Sequence, residues 1–351
     1  MLPPCHRFST GARLGTKIVP LRLSKRITGI RLAKWYSSCI LDHIDIGTKE
    51  SVLKTTIIGS GQVGLCWAER LVADPVLEIS LSDPQPPAAA VSWSEESGVA
   101  IRPDISGWAA DQELVLLCVP GFVLPGVISS LLQHLKPGAT IVDMTTAAAQ
   151  AKRESSARAE AAGIGYVDIA ITGAVALTGV KTPLLYAGKR NTAVESVLAN
   201  AGAPVRVLPD SVPGDAVTVK LLRSVIMKGL EALAIEALPA ARAYGVLDQL
   251  DAVLADVDQA PFTNLLKSMV TTHPAHAVRR HAEVLEAAAQ LQSVGYPAGL
   301  TEQVAAQYAA TAENVSLTGG PAEATFAASL DWLDSLALRT STPTTAQEVS
   351  A

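Results

Sequence analysis

Apolar positions along this chain follow two different rhythms. From about residue 52 to about 208, short apolar runs alternate with longer segments of mixed polarity. The runs are 54–58, Val76–Ser82, Leu114–Val119, Thr140–Asp143, Gly165–Ile171, Leu184–Ala187 and Val205–Leu208, each read as a strand. Leu114–Val119 (LVLLCV) has no polar position at all, as a central parallel strand buried on both faces requires. Between the runs, Gln62 to about Val72, Val127–Leu135 and Ala147–Ala162 read as helices, the last closed by Gly163; Pro84, Pro86 and Pro87 forbid a helix directly after Asp83. After Pro213-Gly214 the period becomes helical throughout. Helices are predicted over Asp215–Tyr244 (interrupted by Pro239), 247–256, 261–271, 277–294, 301–313 and 321–338. The fold class is therefore α/β, a doubly wound parallel sheet over 52–212 followed by an all-α domain over 213–338, with a leader at 1–51 and a flexible tail at 339–351.

The first strand breaks into Gly59-Ser60-Gly61-Gln62-Val63-Gly64, a GxGxxG that follows a strand and opens a helix. Each glycine has a separate task. Gly59 allows the sharp turn, Gly61 lets backbone approach a pyrophosphate, and Gly64 lets the helix pack closely on the strand. The helix that follows aims unpaired N–H groups and its positive dipole end at the phosphates. This is a Rossmann-type dinucleotide site. Asp83, nineteen residues beyond Gly64, ends the second strand, where a carboxylate accepts from ribose hydroxyls and repels a 2′-phosphate. No arginine adjoins it in sequence, so NAD is favoured slightly over NADP. Val119-Pro120 and Thr145 end later strands, at the sheet edge where such folds bind ligands.

Composition narrows the partners. The 351 residues are 49% hydrophobic and 4% aromatic, with a formal charge of −5, which argues against nucleic acid; no charge-free apolar stretch is long enough for a membrane span. Residues 1–41 carry eight of the 28 basic residues and no Asp or Glu, leaving 20 basic against 33 acidic residues in the remainder. Such a leader reads either as a mitochondrial transit peptide or as translation begun upstream of a true start near Val52, the second being favoured. Cys5, Cys39, Cys66 and Cys118 form no CxxC pair and read as reduced thiols, which suits the cytoplasm, or the mitochondrial matrix if the leader is a transit peptide.

Several residues carry candidate chemistry. Thr145 and Thr146 follow the strand ending at Asp143; they either cap the next helix or line nicotinamide and substrate. Thr172-Gly173-Ala174 ends another strand and offers backbone N–H groups to a carboxylate, although alone it reads as a turn. On the long helix, Lys220, Arg223, Ser224, Met227 and Lys228 share one face within apolar surroundings. A lysine there is partly desolvated, which favours loss of its proton; the plainer reading is that both lysines reach out to solvent. His273, His276 and His281 are weak metal candidates, since Pro274 disfavours one regular helical face; no metal is expected.

The order Gly59–Gly64, Asp143-Met144-Thr145-Thr146, Asp168–Ala174, Gly214-x5-Lys220 resembles the β-hydroxyacid dehydrogenase family, over about 52–335. Within it, KTPLLYAG (181–188), LRSVIMKGLEAL (222–233) and RRHAEVLEAAAQLQSVG (279–295) are similar to a 6-phosphogluconate-dehydrogenase-like branch with a C-terminal domain of unknown function. The resemblance implies hydride exchange between nicotinamide and a small hydroxy acid or its semialdehyde or keto form. It further implies Lys220 as general acid/base, Thr145 or Thr146 with Thr172-Gly173 on the substrate carboxylate, and a homodimer. Arg223 and Lys228 are candidates for pairing the substrate anion. Departures stand at Thr172-Gly173-Ala174, where the family has Ser-Gly-Gly, and at Ser224, where it has Asn. Arg223-Ser224 replaces the His-Asn of the decarboxylating enzymes, which argues against that activity. Imine reduction is the rival reaction, although enzymes of that kind often replace the lysine with Asp or Tyr. A catalytically silent NAD(H)-sensing dimer is the rival outside catalysis.

Overall fold

The computed structural model describes residues 52–340; the leader, the last residues of the tail, Cys5 and Cys39 lie outside this range. Eight strands form one sheet in the order β3-β2-β1-β4-β5-β6-β7-β8. They are β1 (Leu53–Ile58), β2 (Leu77–Ser82), β3 (Ile101–Arg102), β4 (Leu114–Leu117), β5 (Thr140–Asp143), β6 (Gly165–Ile171), β7 (Leu184–Ala187) and β8 (Val205–Val207). Neighbouring strands run parallel except at β6–β7, so β7 and β8 point the opposite way from the other six. The helices between them are α1 (Gln62–Leu71), α2 (Ala88–Ser97), α3 (Leu124–Leu132), α4 (Ala149–Ala161), α5 (Val175–Thr178) and α6 (Thr192–Ala201).

Strand β4 shows why the sheet is stable. Leu114 and Leu116 enter one apolar layer with Trp67, Leu71 and Tyr186, while Val115 and Leu117 enter the other with Leu124, Ile128 and Ile141. Alternation along a pleated strand supplies both layers, and helices cover each. Burying one such leucine contributes roughly 1.5–3 kcal/mol.

The helical region comprises α7 (Asp215–Ala243), α8 (Leu247–Leu254), α9 (Phe262–Ser293), α10 (Gly299–Thr318) and α11 (Phe326–Thr340). Two expectations need correcting. Helix α9 runs unbroken through Pro274, and α7 runs through Pro239, although each proline removes a backbone hydrogen bond. Pro274 is buried in the α9 packing, so tertiary contact outweighs the local penalty. Strand β3 and helices α2, α5 and α6 had no counterpart among the predicted elements, β3 because two residues make no periodicity.

Helix α10 starts on a cap borrowed from α7. Glu236 accepts from the N–H groups of Leu300 (2.7 Å) and Thr301 (3.1 Å) and from the Thr301 hydroxyl (2.7 Å). These bonds, the Leu300 N–H first, hold its carboxyl below the usual range. Among the described residues, no helix is long and apolar enough to cross a membrane.

Candidate active site

The glycine loop has the geometry a dinucleotide needs. Gly59 adopts φ +91°, and a Cβ there would lie 2.7 Å from the Cys118 carbonyl oxygen. A Cβ on Gly64 would sit 1.8 Å from the Gly59 oxygen, so the loop cannot close around any other residue. Around Gly61 nothing lies within 4 Å of an added Cβ, which leaves space where a pyrophosphate would approach. Gln62 and Val63 open α1, whose N-terminus has no side-chain cap and keeps its N–H groups free for an anion. Ser60 is buried, and both its N–H (2.7 Å) and its hydroxyl (2.8 Å) donate to Oδ2 of Asp83. Asp83 thus braces the loop from the end of β2. Its own N–H donates to the carbonyl of Arg102 on β3, so an arginine does adjoin this position in space, with its guanidinium 4.6 Å from the centre of the Trp108 ring. These features fit NAD(P): a cradle open only at Gly61, an uncapped helix and a braced carboxylate.

The loops after β4 and β5 continue the same edge. Val119 lies against Gly59, and Gly121 abuts Ala147 so closely that a Cβ would meet its nitrogen at 2.6 Å. Exposed Pro120 leads to Phe122, which is 85% exposed. Thr145 is buried; its N–H donates to Asp143 Oδ1 (2.8 Å) and its hydroxyl accepts from Ala147 N–H (3.3 Å), an inward turn that braces the loop ahead of α4 without capping it. Thr146 is the exposed one of the pair, and Nζ of Lys220 donates to its hydroxyl at 2.9 Å. Burial lowers the Lys220 ammonium below the ordinary lysine range; the Lys152 charge lowers it further and Asp168 opposes both.

Other candidates stand at varied distances from this pair. Thr172 spends its N–H and its hydroxyl on the Pro183 carbonyl, both at 2.9 Å, and lines a groove shared with Val219, Arg206 and Arg223. Gly173 is exposed beside Thr182, whose methyl a Cβ would meet at 2.9 Å. Ser224 turns back onto its own helix, donating to the Lys220 carbonyl. Lys228, two turns beyond Lys220, is exposed and paired with Glu231. His273 bonds Thr311 (2.8 Å) and packs on Tyr308, inside the helical region. Burial raises the thiols of both Cys66 and Cys118, Cys118 far above the usual range, so each stays protonated.

Beneath Lys220 lies a cluster that the sequence reading missed. Lys152, on α4, is 0% exposed, with Nζ 2.6 Å from Asp168 and 3.3 Å from Asp143, both equally buried. Tyr166 donates to Asp143 at 2.5 Å, and its phenol, desolvated beside that carboxylate, is pushed far up and remains a donor. The second oxygen of Asp168 accepts the Gly214 N–H at 2.9 Å. A signal existed: Lys152, Ser155 and Ala159 fall three and seven residues apart on one face of α4, and that face is buried.

Residues 54–208 match the family described as NAD binding domain of 6-phosphogluconate dehydrogenase, and residues 241–311 match Domain of unknown function (DUF1932). A curated relative, an uncharacterized 28.5 kDa protein of Methanothermus fervidus, is 32% identical over 121 residues, 34% of this chain and 46% of that protein. The match thus spans just under half of that relative. Among solved structures, a conserved protein of unknown function described as similar to 3-hydroxyacid dehydrogenases superposes with TM-score 0.52 at 24% identity, covering 74% of this chain and 97% of the other. An imine reductase from Aspergillus terreus in complex with NADPH4 and a dibenzazepine gives TM-score 0.62 at 21% identity, covering 75% and 94%. These two likenesses concern the fold. With its glycine cradle and its sheet order, the chain carries a domain similar to the NAD binding domain of 6-phosphogluconate dehydrogenase, followed by a segment similar to the DUF1932 domain.

Proposed function

We propose that this protein moves hydride between NAD(P) and a small anionic hydroxy acid or its semialdehyde or keto form, with Lys220 as the general acid/base. The observation that carries this reading is the Lys220–Thr146 contact of 2.9 Å at the carboxyl edge of the sheet. The nicotinamide cofactor, when bound, supplies or takes the hydride. Gly59–Gly64 would hold its phosphates, with Asp83 bracing the loop through Ser60; because Arg102 adjoins Asp83 in space, this carboxylate gives no ground to choose between NAD and NADP. Lys220 hands a proton to the substrate oxygen in reduction and takes it back in oxidation. Its lowered basicity suits both directions, because a group that titrates nearer neutrality exchanges protons faster in both senses. Thr146 fixes the ammonium, and Thr145 anchors the loop. Gly173 and Arg223 form the anion-facing side, where the fork of Arg223 suits a carboxylate; Thr172, held by Pro183, shapes the groove beside Arg223, and Ser224 and Lys228 are outer neighbours of that side.

Imine reduction is the second reading, supported by the likeness to the Aspergillus terreus enzyme. Against it stands charge: an iminium is cationic, and Lys220 with Arg223 would repel it. Helix α7 leaves Leu222, Val225 and Ile235 more than 60% exposed, and no described residue covers them. A second copy of the chain is their natural cover, giving a homodimer.

The test is turnover of purified protein with NADH and NADPH against semialdehydes, 2-keto acids and cyclic imines. Reduction of carbonyl acids that is lost in Lys220→Ala, with cofactor affinity kept, supports the proposal. Reduction of imines alone would replace it with the second reading, and binding of NADH with no turnover anywhere would point to a sensor.

A further inference from the structure

Lys152 cannot be a second acid/base group, because it has no exposed surface and both aspartates hold its ammonium. Nor does stability explain it well. Buried ion clusters return about as much attraction as they cost in desolvation, and apolar residues of similar volume often serve as well or better. A lysine and two aspartates in this place ask for a role beyond holding the fold.

Their surroundings supply one. Asp168 accepts the N–H of Gly214, the residue that opens α7, and Lys220 stands two turns along that helix. Asp143 accepts the N–H of Thr145, the residue before Thr146. The Lys152 ammonium also donates to the Asp143 carbonyl at 3.2 Å. One buried cluster therefore grips the roots of both segments that meet as Lys220 and Thr146. Position is half of what it provides, and charge is the other half. Around Lys220, α4 contributes Lys152, β6 contributes Asp168 and β5 contributes Asp143. Arg153 is drawn off by Asp215 at 3.1 Å, and Tyr166 is neutral.

We propose that Lys152, with Asp168 and Asp143, is a positioning and charge-setting device for Lys220. The fixed ammonium of Lys152 makes Lys220 easier to deprotonate, and Asp168 opposes that effect. Both effects run from a fully buried cluster to a half-buried amine, so salt screens them only in part. The inference rests on Lys220 as the group that moves the proton, but it can be measured without any substrate.

The experiment is competitive labelling of amines with acetic anhydride across a pH series, read at Lys220 by mass spectrometry in the full chain. Wild type is compared with Lys152→Met, Asp168→Asn and Tyr166→Phe, with circular dichroism and NADPH titration confirming the fold. Below the titration midpoint, labelling follows the neutral fraction, tenfold per pH unit. Lys152→Met should slow Lys220 labelling by roughly three- to tenfold, and Asp168→Asn should speed it by a similar factor, as expected for a single nearby charge. Tyr166→Phe changes no charge and should leave it within about twofold of wild type. Shifts in the same direction for the two charge variants, or no shift in either, would overturn the proposal. If one of them does not fold, the other decides alone, since its sign is fixed in advance. Failure of the carbonyl panel would sink the reaction assignment and leave this result standing.

Discussion

The sheet and the helical region of this protein use apolar residues in opposite ways. In β4 every side chain is buried, and each neighbour that buries it comes from the same chain. In α7, where apolar residues alternate with charged ones, only Ala216, Val217, Ala240 and Ala241 are buried along 29 residues. The strand is a finished core element, whereas the helix leaves Leu222, Val225 and Ile235 exposed, the residues that the proposed second copy would cover. Apolar content alone therefore does not say whether a segment stabilises its own fold or waits for a partner.

The sharpest test of this contrast lies where the two regions meet. Lys220 belongs to the helical region but meets Thr146 at the sheet edge, where we propose it moves the proton. Lys220→Ala should lower kcat/KM by about a thousandfold, within the range for loss of a general acid/base, while NADPH affinity measured by fluorescence stays as it was. Reduction requires the protonated amine, so its rate should fall as pH rises through the lowered Lys220 titration; oxidation requires the neutral amine and should rise over the same range. The variant should lose both limbs.

Next in size, Leu116→Ala should cost about 2–5 kcal/mol in urea unfolding, as a fully buried leucine does. Leu222→Ala, 62% exposed in one chain, should cost under about 0.5 kcal/mol in dilute protein. A larger loss at Leu222 that grows with protein concentration would show the second copy at work, and Val225→Glu should then shift sedimentation toward the monomer. Equal, concentration-independent losses at both leucines would erase the contrast.

The glycine loop sharpens it on a smaller scale. Gly64→Ala forces a Cβ into the Gly59 carbonyl and should cost both stability and NADPH affinity, by about 1–3 kcal/mol. Gly61→Ala has open space, so unfolding should change by less than about 0.5 kcal/mol while NADPH binding weakens.

Smallest is the borrowed cap. Glu236→Ala should destabilise by about 1 kcal/mol, the usual value of a lost helix cap. Because the folded state lowers the carboxyl's titration, this contribution is present above the ordinary glutamate range and disappears as pH falls through the lowered value. Thermal melts of both proteins at neutral and acidic pH should therefore converge at the acidic end.

How far the sequence could be read follows from the same physics. Thr140–Asp143, Gly165–Ile171 and Leu184–Ala187 have the boundaries expected from their apolar runs, because burial on both faces leaves a signal that no other segment imitates. Pro274 misled, since its penalty is local and its compensation is tertiary. The motif order implied that Lys220 and Thr145 or Thr146 share one site, but their direct contact, Lys220 on Thr146, had no sequence signal. Lys152 was missed, because a lysine on a helix with charged neighbours looks solvated until two aspartates from other strands are placed under it. Arg102 escaped for a related reason, as the two-residue β3 brings it beside Asp83 only in space.

The reversal of β7 and β8 has a consequence for how this site can change. Because β8 runs against β1–β6, the chain leaves the sheet at the end far from the cofactor loop, and α7 must climb back along β6. Gly214, at φ +100° and pressed on the Ala149 oxygen, is tethered to Asp168 and marks the zero of that climb. Six residues later, at about 1.5 Å per residue, the helix has advanced about 9 Å and presents Lys220 to Thr146. The helix is thus a ruler on which distance is counted in residues. One inserted residue between 214 and 220 would turn the amine by about 100° and raise it by about 1.5 Å, removing it from Thr146 without altering any side chain of the site. In this stretch the length of the chain, as much as the identity of its residues, sets where the amine lies.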